Sequence, residues 1–113
     1  MTRHDTADRI ARLRSLADLL LDMRLSDLRT VAAARAESLE RLADLDRAPP
    51  ASDLPDLAAA EVAMRYQSWA DQRRAEINLT LARQTATWIE ARDDARLAFG
   101  KSQALQGLAG RLR

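Results

Sequence analysis

The sequence predicts an all-α fold, a long antiparallel coiled-coil hairpin of two helices. Of the three prolines among 113 residues, two are adjacent, at Pro49 and Pro50, and they separate two long segments free of proline and glycine. In both segments apolar residues recur every three or four positions, which is the spacing of a coiled-coil seam. Aromatic residues make up 4% of the chain and Val and Ile are scarce, a composition that favours helix over sheet.

The first helix is expected from about residue 5 to residue 47. Asp5 or Thr6 is its expected N-cap, and Asp8 adds a favourable negative charge in the first turn. The seam advances by alternating steps of three and four residues, a mean of about 3.5 residues per turn. Its predicted positions are Ile10, Leu13, Ala17, Leu21, Arg24, Leu28, Val31, Arg35, Ser38, Leu42 and Leu45.

A turn is expected over residues 48–54. Neither proline nitrogen can donate a helical hydrogen bond, and Pro50 drives Pro49 out of the α region. The second helix is expected over about 55–99, with Asp53 as its N-cap. The whole chain is therefore predicted to be a single helical hairpin.

The seam of the second helix is weaker, because Arg73 and Gln84 interrupt it and are expected to couple to polar groups. Residues 100–113 contain all three glycines and are expected to form a frayed or continuing helical tail. The predicted seam positions are Val62, Tyr66, Trp69, Arg73, Ile77, Leu81, Gln84, Trp88, Ala91, Ala95 and Phe99.

A turn centred near Ala51 places residue i of the first helix opposite about residue 102 minus i. Residues beyond about Leu97 would then have no partner, which predicts an overhanging arm. Charges do not select this register, because like and opposite pairs are about equally frequent. The predicted facing pairs are Leu45 with Leu57, Leu21 with Leu81, and Ile10 with Arg92.

Charge and composition bear on location and partners. The 18 basic and 17 acidic residues are mixed along the chain, so no basic stripe for nucleic acid is expected, even around Arg73, Arg74 and Arg83. The sequence has no cysteine and no apolar run of transmembrane length, and a cleavable signal peptide is not expected. A cytoplasmic location is therefore expected.

No catalytic, cofactor or metal site is expected. His4 is predicted to lie in an N-terminal tail without other ligands at metal-binding spacing. Glu90, Asp93 and Asp94 alternate with arginines, as on a solvated helix face. No serine has a histidine within the helical repeat to activate it. The sequence thus predicts a protein that is not an enzyme.

Surplus apolar residues predict protein binding instead. The leucines between Leu13 and Leu25 wrap around more of the first helix than one partner helix can cover, with Leu16, Leu20 and Met23 as candidate contacts. Two hairpins that bury these belts against each other as a four-helix bundle are the alternative. The aromatic residues Trp69, Trp88 and Phe99 are candidates either for seam packing or for an exposed interface.

The layout resembles the coiled-coil proteins of flagellar and type III secretion export, the FliJ/YscO-like family. The resemblance is carried by the leucine-spaced opening Ile10-Ala-Arg-Leu-Arg-Ser-Leu-Ala-Asp-Leu, by the mid-chain break, and by Trp88-Ile-Glu-Ala-Arg-Asp-Asp-Ala-Arg-Leu-Ala-Phe-Gly-Lys. It covers most of the chain and contains no single diagnostic motif.

The resemblance implies a hairpin similar to the rotor stalk of rotary ATPases, which enters the centre of a hexameric ATPase ring. It also implies contacts with the membrane-embedded export gate and with chaperones, at the membrane export apparatus. By position on the second helix, it suggests as contacts Trp88, Ile89, Leu97 and Phe99.

Overall fold

Two long helices make up the described chain. The structure is a computed structural model that describes residues 2–47 and 55–112. Helix α1 spans Arg3–Leu45 and helix α2 spans Asp56–Arg111, with no strand in these residues. The predicted all-α helical hairpin is confirmed. The prolines Pro49 and Pro50 and the predicted N-cap Asp53 lie outside the described residues.

Helix α1 begins earlier than predicted because Thr2, and not Asp5 or Thr6, is its N-cap. The Asp5 backbone N–H donates to the Thr2 hydroxyl at 3.2 Å, and the Thr2 N–H donates to the Asp5 carboxylate at 3.4 Å. This reciprocal pair satisfies two N–H groups at the helix start. His4 therefore lies within α1 and not in a tail, with its ring 3.6 Å from the exposed Asp8 carboxylate.

Helix α2 continues through all three glycines, so the predicted fraying after Phe99 is wrong and the continuing-helix alternative is correct. A Cβ added at any glycine would meet nothing within 4 Å, so close packing does not require these glycines. The final turns contribute a packed face instead: Ser102 is buried, and Leu105 and Leu112 are half-buried. This packing outweighs a helix cost of about 1 kcal/mol per glycine.

The chain divides into two compact units, each containing a stretch of both helices. Unit 1 comprises Met1–Ala32 and Thr87–Arg113, and unit 2 comprises Ala33–Ala86.

In unit 1, α1 and α2 run antiparallel. The Ser102 hydroxyl donates a 2.6 Å hydrogen bond to the Asp18 carboxylate. Further along α1, Leu28 lines a groove together with Arg92. Partner numbers on α2 fall as those on α1 rise, and the two numbers add to about 120.

Unit 2 has the same antiparallel pairing. The Arg35 Nε–H donates to the Thr85 hydroxyl at 3.0 Å. The Arg74 guanidinium donates to the Leu45 carbonyl at 3.3 Å and to the Asp46 carboxylate at 3.1 Å. Here too the paired numbers add to about 120. The buried cluster of unit 2, with the residues packed against it, consists of Leu45, Ala70 and Ile77, with Leu42 and Tyr66.

The predicted register is therefore wrong by about 18 residues, or about 27 Å of helix. The prediction assumed that the two helices pair symmetrically about the turn that connects them. Instead, the seam of α2 extends far enough along the chain for the end of α2 to pair with the start of α1. Instead of the predicted partners Leu57, Leu81 and Arg92, Leu45 packs in a cluster with Ala70 and Ile77, Leu21 lines a groove with Ala95 and Phe99, and Ile10 lines a pocket with Ala109 and Leu112.

The predicted overhanging arm at the end of α2 is also wrong. Residues after Leu97 pack on α1 in unit 1, as the Ser102 hydrogen bond shows. In unit 2 the end of α1 is level with Arg74, so the first turns of α2 run past the described end of α1. Leu57, in those first turns, is 81% exposed.

The predicted seam of α1 is confirmed at every position except Leu13, which is exposed, while the neighbouring Arg14 is half-buried. On α2 the first residue of the predicted seam, Val62, is also exposed.

Elsewhere the seam of α2 lies one residue from the prediction at three places, where Ala70, Arg74 and Ala98 replace Trp69, Arg73 and Phe99. At positions 70 and 98 the small alanine side chain occupies the space between helices about 8–10 Å apart, and the larger rings of Trp69 and Phe99 stay exposed.

Ile77→Ala should lower the free energy of unfolding by about 2–4 kcal/mol, because Ile77 is 7% exposed and its removal leaves a cavity in the unit 2 cluster. Urea denaturation followed by circular dichroism measures this loss. The control is Leu79→Ala, since Leu79 is 58% exposed and should change stability by no more than about 0.5 kcal/mol. Equal losses from the two variants would contradict the assigned seam.

Candidate functional site

Unit 1 exposes many large apolar side chains, on both of its helix stretches. A scattered exposed leucine needs no explanation, but a contiguous apolar patch is typical of a binding surface. The exposed residues are Leu13, Leu16, Leu19, Met23, Leu25, Ile89, Leu97, Phe99 and Leu108.

On one side of unit 1 these residues form an apolar surface, which we call the leucine face. Its centre is a groove of about 410 Å³ between the helices, lined among others by Leu16, Leu20 and Ala104. Heptad spacing extends the surface beyond the groove, because residues seven positions apart share one side of a coiled-coil helix. The leucine face consists of Leu13, Leu16, Leu20, Met23, Leu97, Lys101, Ala104 and Leu108.

The register places four pairs of these residues level with each other across the two helices. Lys101 is the only charged member, and its aliphatic stem can lie along the apolar surface while the ammonium group reaches solvent. The level pairs are Leu13 with Leu108, Leu16 with Ala104, Leu20 with Lys101, and Met23 with Leu97.

The opposite side of unit 1 carries a second apolar surface, the Phe99 groove, of about 340 Å³. Two arginines and no carboxylate lie among the residues that line it, so the groove is apolar at its floor and positively charged at its edge. These residues are Leu21, Leu25, Leu28, Arg92, Ala95, Arg96 and Phe99.

Trp88 supports one edge of the Phe99 groove. The Arg92 guanidinium lies over its indole, 5.2 Å from the ring centroid, in a cation–π contact. Arg92 also lies 3.6 Å from the Asp93 carboxylate, while its Nε is buried without a hydrogen-bond partner among the described residues. Trp88 is half-buried, as the seam-packing interpretation predicts, and part of its ring stays exposed.

In unit 2 several arginines are paired with carboxylates of the same chain, as Arg24 and Arg92 are in unit 1. Arg73 donates to the Glu76 carboxylate at 2.9 Å in an exposed contact within α2, so it does not couple to polar groups in the seam as predicted. Arg74 donates to the Asp71 carboxylate at 2.8 Å, in addition to its contacts with α1. By contrast, the Gln84 Oε1 is buried and has no hydrogen-bond partner among the described residues.

The predicted binding residues fall into three places. Leu16, Leu20, Met23 and Leu97 come together on the leucine face of unit 1. Phe99 and Ile89 lie on the Phe99 side of α2, and Trp88 contacts Arg92 of the same helix. Trp69 belongs to unit 2 and packs beside Tyr66 at 5.8 Å between ring centroids. All eight are exposed except Leu20 and Trp88, which are half-buried.

Sequence reasoning missed Arg96 in the Phe99 groove and Ala104 in the leucine face, and it did not place Leu25, Lys101 and Leu108 on these surfaces. The seven-residue steps from 97 to 104 and from 101 to 108 were the available signal. This spacing was not recognised in the sequence, because the predicted register left the residues after Leu97 without a partner on α1.

Within residues 2–47 and 55–112, no group of three potential metal-ligating side chains lies close enough to hold an ion. No helix in the described part of the chain has an apolar stretch long enough to cross a bilayer. Comparison of the chain with family models, with curated proteins and with solved structures found no match.

Phe99→Ala should leave the free energy of unfolding within about 1 kcal/mol of the original, because Phe99 is 54% exposed. Its neighbour Ala98 is 3% exposed, so Ala98→Leu should overpack the seam and cost about 1–3 kcal/mol. Thermal and urea denaturation of both variants measure the difference. A larger loss for Phe99→Ala would mean that Phe99, and not Ala98, lies in the seam.

Proposed function

We propose that this protein is a non-enzymatic coiled-coil adaptor that binds a helix of another protein in the Phe99 groove. The observation that supports this function is the groove itself: it is open and apolar, and both of its walls are helical. Phe99 projects from α2 as an exposed aromatic side chain, which is a frequent anchor in protein interfaces. A rigid helix pair presents such a groove without the cost of ordering a loop.

The partner that fits the groove is an amphipathic helix with acidic side chains beside its apolar stripe. The apolar stripe would cover Leu25, Leu28 and Phe99 through residues spaced three and four apart. Carboxylates beside that stripe would meet Arg92 and Arg96 at the groove edge.

The resemblance to the FliJ/YscO-like family supports a more specific role, in a flagellar or type III protein export apparatus. In this role the hairpin would contact the hexameric export ATPase and the export gate, as a cytoplasmic protein at the membrane apparatus. Two long antiparallel helices are compatible with the stalk-like shape that the family uses. The partner helix in the Phe99 groove would then belong to one of these export components.

Arg96→Glu should weaken binding to a purified flagellar export ATPase by at least about tenfold, because it places a negative charge where acidic partner groups would dock. Sedimentation velocity of mixtures measures the affinity. Arg65→Glu is the matched control, an exposed arginine on α2 in unit 2, and should bind like the original. If the original protein does not bind the ATPase at about 100 µM, the export role is wrong.

The wider adaptor function has its own test. A photo-crosslinking amino acid at position 99 should join the protein in cells to one defined heterologous protein, and the same amino acid at the exposed position 79 should not. Mass spectrometry of the crosslinked peptides should identify an amphipathic helix with acidic residues. Products that contain only this chain would contradict the adaptor function.

A further inference from the structure

At each of its two ends along the helices, the leucine face of unit 1 is bordered by a pair of residues with the same charge. With paired numbers adding to about 120, Arg9 is level with Arg111 at one end, and Asp27 is level with Asp94 at the other. All four side chains are exposed, and Arg24 lies 3.8 Å from Asp27 as its neighbour on α1. Like charges at neighbouring positions across a helix pair repel each other. The face therefore has two arginines at one end, an apolar centre and two aspartates at the other end, with Asp5 and Asp8 beside Arg9 and Arg24 beside Asp27 as neighbours on α1.

We infer that the leucine face binds the same face of a second copy, with α1 antiparallel to the partner's α1 and α2 antiparallel to the partner's α2. The two-fold axis would cross the helices at the level of residue 18, midway between the two charged ends. This arrangement brings the two arginines of each copy onto the two aspartates of the other. Both repulsive pairs then gain partners of opposite charge.

The side chains match under this rotation. On α1, the exposed positions 9, 13, 16, 23 and 27 and the half-buried position 20 are symmetric about position 18. Leu16 meets the partner's Leu20, Leu13 meets the partner's Met23, and Arg9 meets the partner's Asp27. A self-complementary pattern of this kind is what an isologous interface requires.

On α2, the residues of the leucine face match in the same way. Leu97 meets the partner's Leu108, and Lys101 meets the partner's Ala104. The small alanine leaves room for the lysine stem, so the one charge within the apolar centre is accommodated. Arg111 meets the partner's Asp94 at the charged end.

The other two-fold arrangement of this face is disfavoured by the same charges. With the axis parallel to the helices, α1 would lie on the partner's α2, and both copies would point in one direction. Arg9 would then meet the partner's Arg111, and Asp27 would meet the partner's Asp94. Both of these contacts would be repulsive, so these four charges favour the antiparallel dimer.

The area available sets the strength of this dimer. The face is about 27 Å long between its charged ends and about 20 Å wide across two helices, which is of the order of 500 Å² per copy. Such an area is at the low end for specific interfaces, so the dimer should dissociate reversibly on dilution. Self-association uses the side opposite the Phe99 groove and is independent of the adaptor function.

Leu16→Asp should weaken self-association of the full chain by about 100-fold or more, because it buries a carboxylate near the two-fold axis. Sedimentation equilibrium from about 1 to 500 µM measures the dissociation constant, and circular dichroism verifies that helicity is retained. The matched control is Leu79→Asp, since Leu16 and Leu79 are 63% and 58% exposed. Both Leu79→Asp and Phe99→Ala should dimerise like the original.

A charge exchange tests the orientation without disturbing the apolar centre. Asp27→Arg should weaken the dimer by about tenfold, because it sets a cation against the partner's Arg9. Adding Arg9→Asp in the same chain should restore the affinity, since each exchanged charge then meets its opposite. In the parallel arrangement Asp27→Arg would instead strengthen the dimer, by relieving the repulsion from the partner's Asp94.

Three results would overturn the inference. One is a protein that stays monomeric up to about 500 µM at low salt. Another is an equal effect of Leu16→Asp and Leu79→Asp on association. The third is a tighter dimer for Asp27→Arg, which would exclude the proposed orientation.

Discussion

The narrow seam between α1 and α2 is the constraint on which the rest of the structure depends. Its most buried residues are mainly small, among them Ala70, Ala95, Ala98, Ser38 and Ser102, and no large side chain of the described residues is completely buried. Two helices alone cannot enclose a large side chain, because nothing covers the seam from above or below. Leucines and aromatic rings must therefore lie on the flanks of the seam. Exposed apolar surface is a direct consequence of the two-helix design.

Polar contacts within the seam select one register among several. Apolar heptads match again after a slip of seven residues, so leucine spacing alone does not fix the alignment of two helices. The hydrogen bonds from Ser102 to Asp18 and from Arg35 to Thr85 each form in a single alignment. Hydrogen bonds that involve a charged group contribute about 1.5–3 kcal/mol each. In unit 1 this alignment sets Leu97 level with Met23 and so assembles the leucine face from both helices.

The helices could be predicted from the sequence, whereas their pairing could not. Proline-free segments and heptad spacing are local properties, and they located α1, α2 and most of the α1 seam. Pairing depends on the sum of many weak contacts, and surface charges did not distinguish one alignment from another. In α2, Phe99 and Ala98 satisfy nearly the same spacing, and only the room between the helices excludes the larger ring. Each candidate surface is built from residues of both helices, so its composition depends on how the helices pair. The sequence therefore identified some of these residues without showing which of them lie together.

The same heptad positions serve different purposes in the two units. In unit 2 these positions hold Glu37 and Arg41, joined at 2.7 Å, and Arg73 and Glu76, joined at 2.9 Å. Those charges are satisfied within one helix and need no partner. In unit 1 the equivalent positions are mainly apolar, and Asp27 at one end lies 3.8 Å from Arg24 on the same helix. The exposed apolar surface of unit 1, and not an absence of ion pairs, is therefore the feature that supports a binding role for this unit.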